Sequence, residues 1–408
     1  MTAVQIKSDI AEKVKELSLQ NKEPEEFLKN RLVAVKAYEN TSLPSRVNHL
    51  WKYTDPLLFT PDLNQVEIKR SKIEFVFDVE LIGKGLIVSN ISTAFANNRQ
   101  LVDSFFCKLI SSNPDKITLL NQALWSGGYF LYVPKGLKIE KPVIIKSNIE
   151  SSGLSAERIL IVLDEDSSVN LIDEALSSDT DNILKNHVSE LFLGKNAKLN
   201  YLNVNLTGKQ TTCHYSQKVF LESNAELSNL IIAFGGKLSK ADINLFMNGE
   251  KSSSHIYGIV LGDGNQKFDH HTIVEHNSSY TKSVLDFRVA LKDKSQSAYT
   301  GNLKIAHEAL KCNAVQENRN LLLSENAKAE SIPELEILTN DVEKCSHGVT
   351  MGQVDKEQIY YLMSRGLDSK EAEKMIIEGF LEPTISKIPD ENLREEVISH
   401  IQRKLLTL

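Results

Sequence analysis

From residue 144 to residue 337 the chain repeats itself with a period just under thirty residues, and few folds can accommodate that. An apolar run at 158–163 (RILIVL) is followed by a polar turn at 164–168 and a second run at 169–172 (VNLI). The unit returns as 190–193, turn 194–198 (GKNAK) and 199–206, and again as 218–221, turn 222–226 (ESNAE) and 227–233. Ser167 to Asn196 is 29 residues and Asn196 to Asn224 is 28. Short strands at a near-constant period, turned by an Asn-Ala pair, are the mark of a β-solenoid whose coils stack on one another. Asn326-Ala327 repeats the turn, which makes the following stretch, 332–350, the last coil. Stacked coils leave unpaired backbone edges above and below, so a solenoid needs caps or a partner that continues its sheets.

The flanks read differently. Ile6, Ile10, Val14 and Leu17 form one stripe of an amphipathic helix, and a second helix opens at Pro24 with Glu25 and Glu26 in its first turn. Leu43-Pro44-Ser45-Arg46 breaks the pair, and Trp51 and Tyr53 serve as an aromatic anchor to the body. Between 65 and 143 short strands (74–81, 85–89, 129–133) surround a helical stretch at 97–120. After Asp355 the period becomes helical: Ile359, Leu362 and Met363, then, beyond Gly366, Ala372, Met375, Ile376 and Phe380. The expected divisions are a helical arm at 1–64, a mixed α/β lead-in at 65–143, a parallel β-helix at 144–350 and a helical domain at 351–408. The two helical segments are expected to cover the ends of the solenoid and leave a sheet flank free for another chain.

Composition narrows the function classes. With 41% hydrophobic and 25% charged residues among 408, the chain has ample material for a core. The net charge of -7, from 54 acidic against 47 basic residues, is the wrong sign for a general nucleic-acid binder. No run of about 18 apolar residues occurs, and Asp9, Glu12 and Glu16 interrupt the N-terminal lysines, so neither a membrane span nor a signal or transit peptide is expected. Four cysteines without a CxxC pattern fit a reduced, cytoplasmic protein. No GxxxxGK[ST] loop and no GxSxG elbow is present.

The candidate chemistry lies at Cys345-Ser346-His347. In an extended strand residues i and i+2 share a face, which brings a thiol beside an imidazole. Two ligands do not close a metal site, since zinc takes four and iron–sulfur clusters want thiolates. Spacing alone favours a structural cysteine and a surface histidine. In 269–276 (DHHTIVEH) a strand would place His270 and His276 on one face and His271 with Glu275 on the other, a polar face or interface in place of a ligand set. Cys213 and His214 point to opposite faces, and Cys107 and Cys312 read as small core residues. Asp164 and Asp166 sit in polar turns; on some solenoids such acids act on sugars, and a β-helix carbohydrate-active enzyme is the alternative from another class.

Several motifs taken together resemble the SufB/SufD family of iron–sulfur cluster assembly proteins: 302–305 (NLKI), 316–324 (QENRNLLLS), 333–337 (PELEI), 345–348 (CSHG) and 361–366 (YLMSRG), with 43–54 similar to the N-terminal signature of the SufD branch. The resemblance implies a right-handed parallel β-helix between helical domains and a scaffold subunit, not an enzyme. It implies pairing with a SufB-like paralogue or with itself through the β-helix, and docking of a SufC-like ABC ATPase through 355–408. It also implies a transient iron–sulfur cluster or iron at the subunit interface, none in the isolated chain, with His347 and its neighbour Cys345 as one half of the site. SufB-like chains carry a cysteine where this chain has Asn318, which separates it from the cluster-building role. Residues 341–345 (DVEKC) are one longer than the family's usual spacing; a small bulge would absorb the extra residue, and without one every side chain upstream of Cys345 would change face.

Overall fold

The computed structural model describes residues 3–47, 49–63, 65–110 and 114–408, with side chains from residue 10 onward; Ile6 of the first helical stripe and the middle of the 97–120 stretch fall outside the described parts. Two nine-stranded sheets face each other, and the chain crosses from one to the other at every corner. One sheet runs from Lys72–Val76 and Val143–Ile149 to Cys312–Leu322 and Val342–Gln353, the other from Ile87–Asn90 and Tyr129–Val133 to Gln296–Ile305 and Lys328–Ile337. Apart from the first pair in each sheet, all neighbours are parallel, giving a β-solenoid of about eight coils. The coil length, read from strand register, varies between 26 residues (Thr212 to Leu238) and 32 (Gln296 to Lys328).

One corner carries a ladder of left-handed residues: Gly136, Asp166, Asn196, Asn224, Lys251, Tyr280 and Lys311, one per coil. Each of the last six donates its N–H to a carbonyl of the next coil, as Asn196 does to Ser223 at 3.0 Å and Tyr280 to Leu310 at 2.8 Å. Asn and Asp tolerate that conformation better than branched or bulky residues, and the alanine after each Asn (Ala197, Ala225) is buried in the lumen. The Asn-Ala signature is therefore a corner requirement. At 325–329 the same pair falls in the opposite corner, between Cys312–Leu322 and Lys328–Ile337, where Asn326 is not left-handed. There only the buried Ala327 plays the same part.

The two ends of the solenoid differ. At the first, Lys72–Val76 and Ile87–Asn90 lie antiparallel on the opening strands, and Leu81 and Leu86 plug the lumen. At the other, Lys328–Ile337 and Val342–Gln353 are each paired on one side only. The helices do not cap the ends as the linear order suggests. Glu25–Asn40 and Lys116–Leu124 pack with Leu154 and Leu184 on the outer face of the second sheet. Ser369–Ile385 and Glu391–Leu405 cover the outer face of the first through Ile377, Leu381, Val397 and Ile401. The outer face of the first sheet is apolar (Ile172, Leu202, Leu230, Ile259), and burying such area outweighs what a helix gains at a polar edge. Met375 faces solvent, so the buried stripe is Ala372, Ile377, Leu381 and Ile385.

Trp51 is buried against Phe59, with the Lys240 ammonium 4.7 Å from the Trp51 ring centre and 2.8 Å from the Leu50 carbonyl. Tyr53 is only half-buried. The arm is thus strapped across the outer face of the second sheet, where Thr54 donates to Asp269.

Candidate functional site

The uncapped end is where the sequence places its Cys-x-His pair. Val342–Gln353 is the outermost strand of its sheet and hydrogen-bonds only to Cys312–Leu322. Its register starts with Val342 opposite Cys312 and resumes with Lys344 opposite Asn313, so Glu343 is an extra, bulged residue. The bulge lets both Val342 and Cys345, three apart, pack on the lumen core. Beyond it Cys345 stands opposite Ala314 and His347 opposite Gln316, and both of those partners are buried lumen-facing residues. Cys345 and His347 therefore share the inward face of an edge strand. Cys345 is half-buried and His347 is exposed. Burial, with the neighbouring Cys312 thiol, pushes the Cys345 thiol above its ordinary pKa, so a metal or a sulfur donor would have to displace its proton.

The layer beneath is polar and incompletely satisfied. Gln316 is 1% exposed, yet neither its amide nitrogen nor its oxygen has a hydrogen-bond partner. Its amide fills the space that a Cβ on Gly301 would need, coming within 2.3 Å of the ideal position. Asn318 and Asn320 face the same way. Asn320 donates to Asn318 at 3.0 Å, to Ser331 at 3.1 Å and to the Thr350 carbonyl at 3.2 Å, which ties the terminal coil to the one before it. Among the described residues no third histidine, cysteine or carboxylate joins Cys345 and His347 in a ligand cluster.

The other sequence candidates disperse. His270 and His276 lie inside the lumen, their pKa values pushed down to about 4 by burial. His276 is held between Thr281 (2.7 Å) and Ser283 (2.8 Å), while the Nε2 of His270 has no partner. His271 faces outward under the N-terminal arm, 2.7 Å from Asp269. The 269–276 strand is thus buried on both faces, because the arm covers its outer side. Cys213 points inward and His214 outward to Asp242 (2.9 Å). Cys312 is core, but Cys107 is exposed: the turn after Arg99–Phe105 sets it left-handed, with its N–H on Glu190 at 2.8 Å.

A lumenal network went unread in the sequence. Glu157, Lys185 and His187 meet inside the first coils, with Lys185 2.9 Å and His187 3.6 Å from the Glu157 carboxylate, beside a cavity of about 40 Å³ that Cys213 also lines. Burial alone would raise the Glu157 pKa, but Lys185, His187 and Ser71 outweigh it and hold the carboxyl far below its usual range. The available signal was parity: Glu157 is in phase with the inward Ile159 and Ile161, and Lys185 and His187 with Leu191 and Leu193.

Comparison with known proteins adds to this geometry. Residues 145–380 match the family model "SUF system FeS cluster assembly, SufBD core domain", and residues 77–145 match the SufBD protein N-terminal region. The iron-sulfur cluster assembly protein SufD of Bacillus subtilis is 30% identical over 430 residues, covering 97% of each chain. An iron-sulfur cluster assembly SufBD family protein of Staphylococcus haemolyticus is 27% identical over 93% of this chain and 89% of its own.

Proposed function

The chain belongs to the SufBD family of iron–sulfur cluster assembly proteins, and we propose that it serves there as a SufD-like scaffold subunit, without turnover of its own, in a reducing cytoplasmic setting. The observation that carries the reading is the terminal coil. An edge strand, paired on one side only, presents Cys345 and His347 on its inward face, above a buried Gln316 whose amide has no hydrogen-bond partner. Exposed strand edges are templates for further pairing, and a two-ligand half-site needs its remaining ligands in trans. A SufB-like paralogue, or a second copy of this chain, would continue the sheets and complete the site. Iron or a nascent cluster is then cargo held at the seam, with His347 as the accessible ligand and Cys345 behind it. Asn318 sits in the lumen one inward position along from Gln316, hydrogen-bonded to the Phe287 carbonyl at 3.3 Å, where it offers no thiol for sulfur. That favours the SufD-like role over the sulfur-accepting one.

Lys356–Ser364 follows the edge strand after two residues and buries none of its side chains. Tyr360, Tyr361 and Met363 are exposed along it, a surface of the size and apolarity that a SufC-like ATPase could grip. Nucleotide-driven movement of that ATPase would then act on the helix and, through 354–355, on the strand carrying His347.

The test is reconstitution. The chain is co-expressed with a SufB-like partner and an ABC ATPase, purified without oxygen, and compared as wild type and His347→Ala for complex stoichiometry, iron, sulfide and visible absorption. An intact complex with cluster content reduced at least tenfold is expected; unchanged cluster content would sink the role of His347. Tyr361→Ser with Met363→Ser should release the ATPase while leaving the paired solenoids.

A further inference from the structure

A second cluster of metal-ligating side chains lies far from the terminal coil, where Glu391–Leu405 crosses the outer face of the first sheet. Glu396 and His400 are one helical turn apart on that helix, and Glu174 rises to meet them from Ser168–Ser177. One ligand atom from each lies within 4.8 Å of the other two. Glu174 and His400 are buried and Glu396 is half-buried, so the group is fixed by packing between helix and sheet. The buried Nε2 of His400 is 3.3 Å from Glu174 Oε1, which holds that carboxyl below its usual range, but the pair is not aligned as a good hydrogen bond. An imidazole and two carboxylates converging between helix and sheet, with no well-aligned hydrogen bond at the buried Nε2, form a donor set that a cation in place of that proton would complete. A cavity of about 230 Å³ lined by Asp179, Thr207, Lys209, His400 and Arg403 opens beside the imidazole and gives the Arg403 side chain space to move.

We propose that Glu174, Glu396 and His400 bind a divalent transition ion that staples the C-terminal helix to the solenoid. Two carboxylates and a neutral imidazole on one side of the ion, with open positions on the other, suit zinc, ferrous or manganous ion. Two cations must give way. Lys146 is 3.4 Å from Glu174 Oε2, and being partly exposed it withdraws into water. Arg403 Nη2 donates to His400 Nδ1 at 3.0 Å, which in the neutral ring leaves the proton on Nε2. Coordination through Nε2 moves that proton to Nδ1 and turns the exposed Arg403 toward solvent. Removing Arg403 therefore tightens binding.

The experiment uses the full-length chain carrying Cys107→Ser, Cys345→Ser and His347→Ala, which removes the accessible thiols and the terminal imidazole, titrated with Zn²⁺ alone in competition with a chromogenic chelator. One equivalent is expected. Glu396→Gln, at a half-buried position that tolerates an amide of the same shape, lowers the affinity at least tenfold, and Arg403→Ala raises it severalfold. With free zinc at a hundred times Kd, amide exchange in Glu391–Leu405 slows by about a hundredfold wherever opening of the helix breaks the site. No bound equivalent, an equivalent indifferent to Glu396→Gln, an affinity unmoved by Arg403→Ala, or unchanged exchange in the helix would each overturn the site.

Discussion

His270 and His276 are single residues with a measurable effect on the whole chain. Both are buried in the lumen with their pKa values pushed down to about 4, against an ordinary value of 6.5, because burial disfavours the charged ring. A histidine whose folded pKa is depressed contributes stability that is full above pH 6.5 and is lost as pH falls toward 4. At about 1.4 kcal/mol per pH unit, each removes on the order of 3 kcal/mol across that window. The carboxylate of Glu157, held below its usual range, acts only beneath about pH 4.5, so the two effects separate. Urea unfolding at pH 7, 6 and 5 should show stability falling with acidity, and His276→Asn should remove about half of the slope; a flat profile would refute it. That both rings share a face was legible, since residues six apart in a strand do; that this face is the lumenal one is a finding of the structure. That the arm would bury the outer face as well was not, because Thr54, which meets Asp269, lies more than two hundred residues away in the chain, and Trp51 packs on Lys240 of the neighbouring strand; both contacts are purely tertiary.

The elements were legible where their period is clean and misread where apolar residues surround a helix. The bulge at Glu343 could be inferred from one surplus residue, because an unabsorbed insertion would turn Val342 out of the core. In Ser369–Ile385, by contrast, Met375, Ile376 and Ile377 are consecutive and apolar, and periodicity alone does not say which one faces the sheet. The sheet decides: Arg288 reaches the helix through Thr384 (2.7 Å) and the Phe380 carbonyl (2.6 Å), and Lys387 pairs with Asp286 at 2.7 Å. These contacts set the rotation that buries Leu381. Leu381→Ala should therefore cost about 3 kcal/mol, the usual loss for a fully buried leucine that leaves a cavity, whereas Met375→Ala should change stability by less than about 0.5 kcal/mol. Equal effects in chemical unfolding would mean that the helix is rotated.

At the scale of the molecule, the solenoid is a one-dimensional stack in which each coil is held by the coils on either side. Its two ends are unequal. The first is closed by antiparallel strands and by Leu81 and Leu86, and the last offers the edge strands Lys328–Ile337 and Val342–Gln353, each with one neighbour. A terminal coil has half the interface of an internal one, and its opening exposes little that is not already wet: Ile337, Leu338, Val349 and Met351 are each at least 39% exposed. Local opening free energy should then fall along the stack toward the end that carries Cys345 and His347. In the isolated chain, hydrogen exchange followed by mass spectrometry should find the amides of Val342–Gln353 exchanging at least a hundredfold faster than those of Thr212–Leu221 or Leu238–Met247. The strand Lys72–Val76 should stay comparatively protected by its pairing with Val143–Ile149. Even protection from end to end would contradict an open terminus and remove the physical reason for a partner there. A gradient confined to the last coil would locate in this end the part of the scaffold that is completed only by another chain.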